Sequence, residues 1–223
     1  SRMYSIFISG CSSYIGKNLA RRLLNDNFDV TGFARTSMPK ELNNINWIKG
    51  DILNYNQVSD AVKNCDTIFH LASTDLGNSF INHREDMLVN VVGTKNILES
   101  AVKYNVRKII FTSSAQVYGR TNNLPQKESA VTEPLSPYAL HKLYAEQLCQ
   151  YYSRMHSLNI LVLRLFNVYG IGYLPAYNST VDITFIKKIK NNIRPKLKSH
   201  YLESRDFIHI KDVVNALVLA MLK

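Results

Sequence analysis

The sequence predicts an α/β protein with a doubly wound parallel sheet and a small, incomplete C-terminal region. Three observations predict it. Short runs rich in β-branched residues alternate with longer amphipathic runs, the order that builds a parallel sheet with crossover helices. The short runs are apolar almost throughout, as strands covered on both faces must be. The first of them also opens into a turn of small residues and a helix start, SIFISGCSSYIGKNL.

Strands are expected at Tyr4–Ser9, Asp29–Phe33, Ile45–Lys49, Thr67–Leu71, Lys108–Thr112 and Ile160–Leu165. Between them, Lys17–Asn25 carries Leu19, Leu23 and Leu24 on one side. Val91–Tyr104 repeats Val92, Ile97, Leu98, Ala101 and Val102, and Tyr138–Met155 carries Leu140, Leu143, Tyr144, Leu148 and Tyr151, all at helical spacing. After Tyr169 the pattern loosens: residues 170–180 read as a loop, Val181–Lys190 as a helix and Asn191–Ser204 as irregular. Lys211–Met221 returns as an apolar helix, with Val213, Val214, Leu217, Val218 and Met221 along it.

Composition narrows the function classes. No apolar run reaches the roughly 18 residues that span a bilayer, and the chain enters a strand at once, with no expected signal peptide. Ser1 and Arg2, ahead of Met3, read as a remnant of expression. Cys11, Cys65 and Cys149 are odd in number, far apart and outside any C-x-x-C pair. That argues for a reducing compartment, the cytoplasm by default, and against a disulfide framework or a metal site. The net charge of +10 favours anionic partners. Lys187, Lys188, Lys190, Arg194, Lys196 and Lys198 cluster, either as a solvated face or as an electrostatic aid in drawing in a diphosphate. No aromatic residues interleave with them, so nucleic acid is not expected as a partner.

In the turn, Gly10 is suited to a positive φ, and Gly16 permits close approach of helix and strand. Backbone N–H groups of the helix start, at Ser13, Tyr14 and Ile15, would face a pyrophosphate. Ser13 stands where a Gly-x-x-Gly-x-x-Gly spacing has its middle glycine, so the signal is degraded; an ordinary βα turn is the competing reading. On the first reading the fold is a Rossmann sheet that would hold NAD or NADP. The place of an acidic ribose ligand falls at Ala34 or Arg35, neither acidic. Arg35 can pair with a 2′-phosphate, a slight lean to NADP, or be a plain surface arginine.

Tyr138 and Lys142 lie at i, i+4 and share one helix face. A free phenol, with a pKa of roughly 10, is a poor base near neutrality; an ammonium beside it would lower that value and could also hold a nicotinamide ribose. The pair opens the helix that follows a strand ending in Thr112-Ser113-Ser114, at the edge where open α/β sheets bind ligands. A serine there can hold the oxygen that the tyrosine deprotonates.

With these pieces assembled, the chain resembles the extended short-chain dehydrogenase/reductase family, and within it the NAD-dependent epimerase/dehydratase group acting on nucleotide sugars. The carrying segments are SGCSSYIG, GDILN, FHLAS, NVVGTKNIL, KIIFTSSAQVYG, SPYALHKLYAEQL, LRLFNVYG and RDFIHIKDVV, in the family's order from Ile6 to about Ala220. The resemblance implies that Asp51 and Ile52 lie beside the adenine, and that His70, Leu71 and Ala72 form the strand end under the cofactor. It implies a structural Asn90 behind the site and Ser114 as the catalytic Ser/Thr. Asn167 and Arg205 would look toward the sugar nucleotide, against the plainer readings of a loop asparagine and an exposed arginine. It divides the chain into a dinucleotide-binding domain (3–169), part of a substrate-binding region (170–204), and a strand and helix returning to the first domain (205–223). It also implies a homodimer through the Val91–Tyr104 and Tyr138–Met155 helices, and a further stretch of chain completing the sugar pocket.

Family members that dehydrate carry an acid after the catalytic Ser/Thr, where this chain has Ala115 and Gln116. Dehydration is therefore disfavoured, and a nucleotide-sugar 4-epimerase is expected. A 4-keto-sugar reductase using NADPH is the alternative. A non-catalytic dinucleotide-binding relative is another, suggested by Ser13 and by the lack of glycines in Lys196–Ser204.

Overall fold

The computed structural model describes residues 3–120, 124–173, 181–196 and 204–223. Six parallel strands form one sheet in the order β3-β2-β1-β4-β5-β6: β1 (Ser5–Ser9), β2 (Asp29–Ala34), β3 (Asn46–Lys49), β4 (Thr67–His70), β5 (Lys108–Ser114) and β6 (Ile160–Leu165). The order reverses between β1 and β4, which opens a crevice at the C-terminal ends of those two strands. A second, two-stranded parallel sheet pairs β7 (Asn167–Tyr169) with β8 (Phe207–His209).

Alternation along the strands divides the core. In β1, Ile6 and Ile8 face one side and Phe7 the other. The first side is covered by α1 (Tyr14–Asn25), with Leu19 and Leu23 inward, and by α8 (Ile210–Leu222), with Val213, Val214, Leu217 and Val218 inward. Against the second pack α2 (Tyr55–Val62), α5 (Gly93–Lys103) and α6 (Pro137–His156), through Val58, Ile97, Leu98, Ala101, Ala145 and Cys149. Two short helices, α3 (Leu76–Ser79) and α4 (His83–Met87), follow β4. A π-helical turn over Leu88–Val92 joins α4 to α5, and α7 (Val181–Lys190) stands apart in the chain.

The strands expected from sequence are all present, with ends shifted by a residue or two. Helix α1 begins at Tyr14 rather than Lys17, because the Ser13 hydroxyl accepts the Gly16 N–H at 3.0 Å and caps the helix there. Helices α2, α3 and α4 were not anticipated; each starts on an Asx cap, Asn54, Asp75 and Asn82 respectively. For α6 the apolar residues at helical spacing divide: Leu140, Leu143 and Leu148 are half-buried, Leu148 against the second core, while others point outward. Its buried face carries Ala139, His141, Lys142, Ala145, Glu146, Cys149 and Tyr152, whereas Tyr144 and Tyr151 are 44% and 50% exposed. Polar groups occupy the inner face because they find partners there: Glu146 takes a two-pronged hydrogen bond from Arg164, at 2.9 and 2.7 Å.

Lys187, Lys190, Arg194 and Lys196 are exposed, which fits the solvated-face reading, while Lys198 and part of Asn191–Ser204 lie outside the described residues. Among the described residues, no helix is long and apolar enough to cross a membrane, and no cluster of His, Cys, Asp or Glu could hold a metal ion.

Candidate functional site

The crevice is lined first by the turn after β1. Gly10 has φ +65°, and a Cβ on it would lie 2.7 Å from the Ala72 amide nitrogen. A Cβ on Gly16 would meet the Gly10 carbonyl oxygen at 2.4 Å. Both glycines are therefore required by close backbone approach, and they leave a side-chain-free cradle at the start of α1. Leu71 and Ala72, just past β4, donate their amides to Ser9 Oγ at 3.1 Å each, which ties the two strand ends together beside the cradle. At the end of β3, Asp51 accepts the Leu53 N–H at 2.9 Å, and the Ile52 carbonyl accepts from Asn96 at 2.9 Å. This shape fits a dinucleotide. Ser113 Oγ adds a buried hydroxyl without a hydrogen-bond partner at the end of β5.

Tyr138 and Lys142 open α6, as their spacing predicts. Ser136 caps the helix by accepting the Ala139 N–H at 3.1 Å, and Pro137 occupies its first turn. Lys142 is 2% exposed; its Nζ donates to the Thr112 carbonyl at 2.9 Å and lies 5.9 Å from the centre of the Tyr138 ring. Ser114, ending β5, reaches the same phenol, so β5 and α6 bring Ser114, Tyr138 and Lys142 together.

Electrostatics depart from the sequence expectation. Burial dominates Tyr138 and pushes its phenol up to about 12; the hydroxyls of Ser73 and Ser114 pull it down, while Asp86 and Asp75 push it further up. Burial likewise presses Lys142 down to about 8, with Asp86 and two weaker groups opposing. The ammonium alone therefore does not make this phenol acidic.

The remaining expected residues are more scattered. Asn167 Nδ2 donates to the Asp206 carbonyl at 2.8 Å, joining the segments of β7 and β8, and the Arg205 guanidinium reaches the Ser204 carbonyl at 3.1 Å on the surface. The Tyr14 hydroxyl donates to the Ile171 carbonyl at 2.9 Å, linking the glycine turn to the chain after β7. Arg35 is exposed and lies 3.5 Å from Glu85. Sequence reasoning missed a buried polar group behind Tyr138: Ser73, Thr74, Asp86 and His141, with Asn90 placed only as structural. These residues are scattered along the chain, His141 lying 55 positions from Asp86, and no local spacing links them all.

Comparison with known proteins agrees with this geometry. A model of the NAD dependent epimerase/dehydratase family matches residues 6–223. A putative UDP-glucose 4-epimerase of Methanocaldococcus jannaschii is 33% identical, over 97% of this chain and 73% of the relative. Among solved structures, the UDP-glucose 4-epimerase of Thermotoga maritima with UDP-glucose superposes with a TM-score of 0.91 at 27% identity, covering 97% of this chain and 73% of that one. The UDP-glucuronic acid 4-epimerase of Bacillus cereus, in complex with UDP-glucuronic acid and NAD, gives 0.89 at 27% identity, covering 98% and 73%. The slight lean to NADP finds no support: neighbours are complexes with NAD, and Arg35 has a carboxylate partner in Glu85.

Proposed function

The chain belongs to the NAD-dependent epimerase/dehydratase family, and from that premise we propose that it interconverts the C4 epimers of a UDP-sugar. The convergence of Ser114, Tyr138 and Lys142 at the C-terminal edge of the sheet carries the reading. NAD, held by Gly10, Ser13, Tyr14, Ile15 and Gly16 with Asp51, Ile52, Leu71 and Ala72 beside it, would supply a reversible acceptor for the C4 hydride. Tyr138 takes the proton of the sugar 4-hydroxyl and returns it once the intermediate has presented its other face. Ser114 holds that oxygen. The cationic Lys142 offsets the charge on the phenol, which the buried site otherwise disfavours. Ala115 and Gln116 supply no acid for elimination, which supports epimerisation over dehydration. Asn167, Arg205 and residues 170–204 are assigned to the sugar nucleotide, and Tyr144, Tyr151 and Met155, exposed along α6, to a homodimer contact.

Incubation with NAD and UDP-glucose, UDP-N-acetylglucosamine or UDP-glucuronic acid, with chromatographic separation of the C4 epimers, tests the reading. Interconversion without net formation of reduced nicotinamide is expected. In Tyr138→Phe it should fall by about 10³-fold, the middle of the range of about 10²–10⁴ for losing a general acid/base. Stoichiometric consumption of NADPH with a keto-sugar would instead establish a reductase, and cofactor binding with no turnover a binding protein.

A further inference from the structure

A row of buried polar groups runs from the crevice to α5, and its protons can be placed one by one. Ser9, His70, Asn90 and Thr94 are all buried. At the α5 end, Thr94 Oγ1 lies 2.6 Å from the Asn90 carbonyl oxygen, which can only accept, so the threonine proton goes there. His70 Nε2, 2.9 Å from the same Oγ1, must then supply the proton of that contact. At the crevice end, Ser9 Oγ accepts the amides of Leu71 and Ala72, at 3.1 Å each. Its own proton is left for His70 Nδ1, at 2.7 Å. A proton on Nδ1 instead would turn a third donor on Ser9 Oγ and leave the serine proton no acceptor in this row. The imidazole is therefore neutral, with its proton on Nε2. Burial, with Lys142 adding to it, acts in the same sense and holds the ring's pKa down at about 3.

We propose that His70 is a positioning residue for the cofactor: by taking the Ser9 proton on Nδ1, it keeps the Ser9 lone pairs on the Leu71 and Ala72 amides and fixes the strand end that packs on Gly10. The inference rests on the reading of that crevice as the NAD site. Tolerance there is small. A Cβ on Gly10 would lie 2.7 Å from the Ala72 nitrogen and 2.9 Å from the Leu71 carbonyl carbon, so a shift of residues 71 and 72 is passed to the glycine turn. Packing alone does not ask for histidine. The ring lies against Phe111, centroids 5.5 Å apart, a contact that an aliphatic side chain would also make. What the imidazole adds is a donor on one side and an acceptor on the other, in one rigid ring.

Two measurements test it. In the 223-residue chain labelled with ¹⁵N, long-range ¹H–¹⁵N spectra show which nitrogen of each of the six imidazoles carries a proton, His70 being assigned through its backbone. The neutral Nε2–H form is expected at pH 7. A proton on Nδ1, or on both nitrogens, overturns the proposal, and this readout is made on the unaltered chain. Binding of NADH, followed by its fluorescence, reads the consequence. His70→Leu fills the space without either hydrogen bond and should weaken binding about tenfold, the scale of one lost buried hydrogen bond. His70→Asn sets an amide oxygen where Nδ1 was and should recover most of that loss, whereas His70→Gln reaches only Thr94 and should not. Ser9→Ala should match His70→Leu, and the double variant should lose nothing further. Undiminished binding in His70→Leu, rescue by Gln rather than Asn, or additive losses would each overturn the proposal. Failure of the unaltered chain to bind NADH would defeat the functional reading while leaving the imidazole spectrum readable.

Discussion

Burial opposes ionisation at both members of the Tyr138–Lys142 pair, and the consequence can be measured as stability. Lys142, pressed from 10.5 to about 8, stays protonated in the unfolded chain at pH values where the folded chain has released the proton. The unfolded state then binds more protons, so stability rises with pH between about 8 and 10.5. Below that window the full penalty applies, about 3 kcal/mol at 1.36 kcal/mol per unit. Lys142→Met should therefore raise the free energy of urea unfolding at pH 7 by about 1–3 kcal/mol while abolishing turnover. The gain should vanish by pH 10.5. A loss at pH 7 would mean that the bond to the Thr112 carbonyl outweighs the buried charge. The pair itself was legible from its spacing. Its titration was not, because desolvation depends on atoms contributed by β4, β5 and α4.

Among the elements, the turn from β1 into α1 was readable and the face of α6 was not. The turn is local: Gly10, Ser13 and Gly16 act on backbone within a few residues, so their types state their task. Gly10→Ala places a methyl group against Ala72 at φ +65°, a strain of about 1–2 kcal/mol before the contact is counted. It should lower the melting temperature by about 5 °C and weaken NAD binding by at least about tenfold, read by differential scanning calorimetry and fluorescence titration. In α6 the apolar residues did not by themselves mark the inner face: Leu148 packs on the core, whereas Tyr144 and Tyr151 are exposed. The inward face instead holds Lys142 and Glu146, whose partners, Thr112 and Arg164, belong to β5 and β6. A helix with chemistry on its inner side need not turn its most apolar side to the core.

Over the whole molecule, two separate apolar cores clamp one sheet, and α8 closes the first against α1. Leu217 is fully buried there. Leu217→Ala should cost about 3 kcal/mol in urea unfolding with an unchanged m value, since it removes packing without altering the surface exposed on unfolding. Loss of much less would show that α8 is only loosely docked.

The residues by themselves determined the alternation of strands and helices, the glycine turn and the Tyr138–Lys142 spacing, since each depends on side-chain period or on backbone freedom over one or two turns of chain. Tertiary structure decided what no local pattern encodes. It chose which face of α6 is buried, raised the Tyr138 phenol instead of lowering it, and gathered Ser73, Thr74, Asp86, Asn90 and His141 into one hydrogen-bonded group. Burial and hydrogen-bond direction arise only when distant segments share a space from which water has been removed.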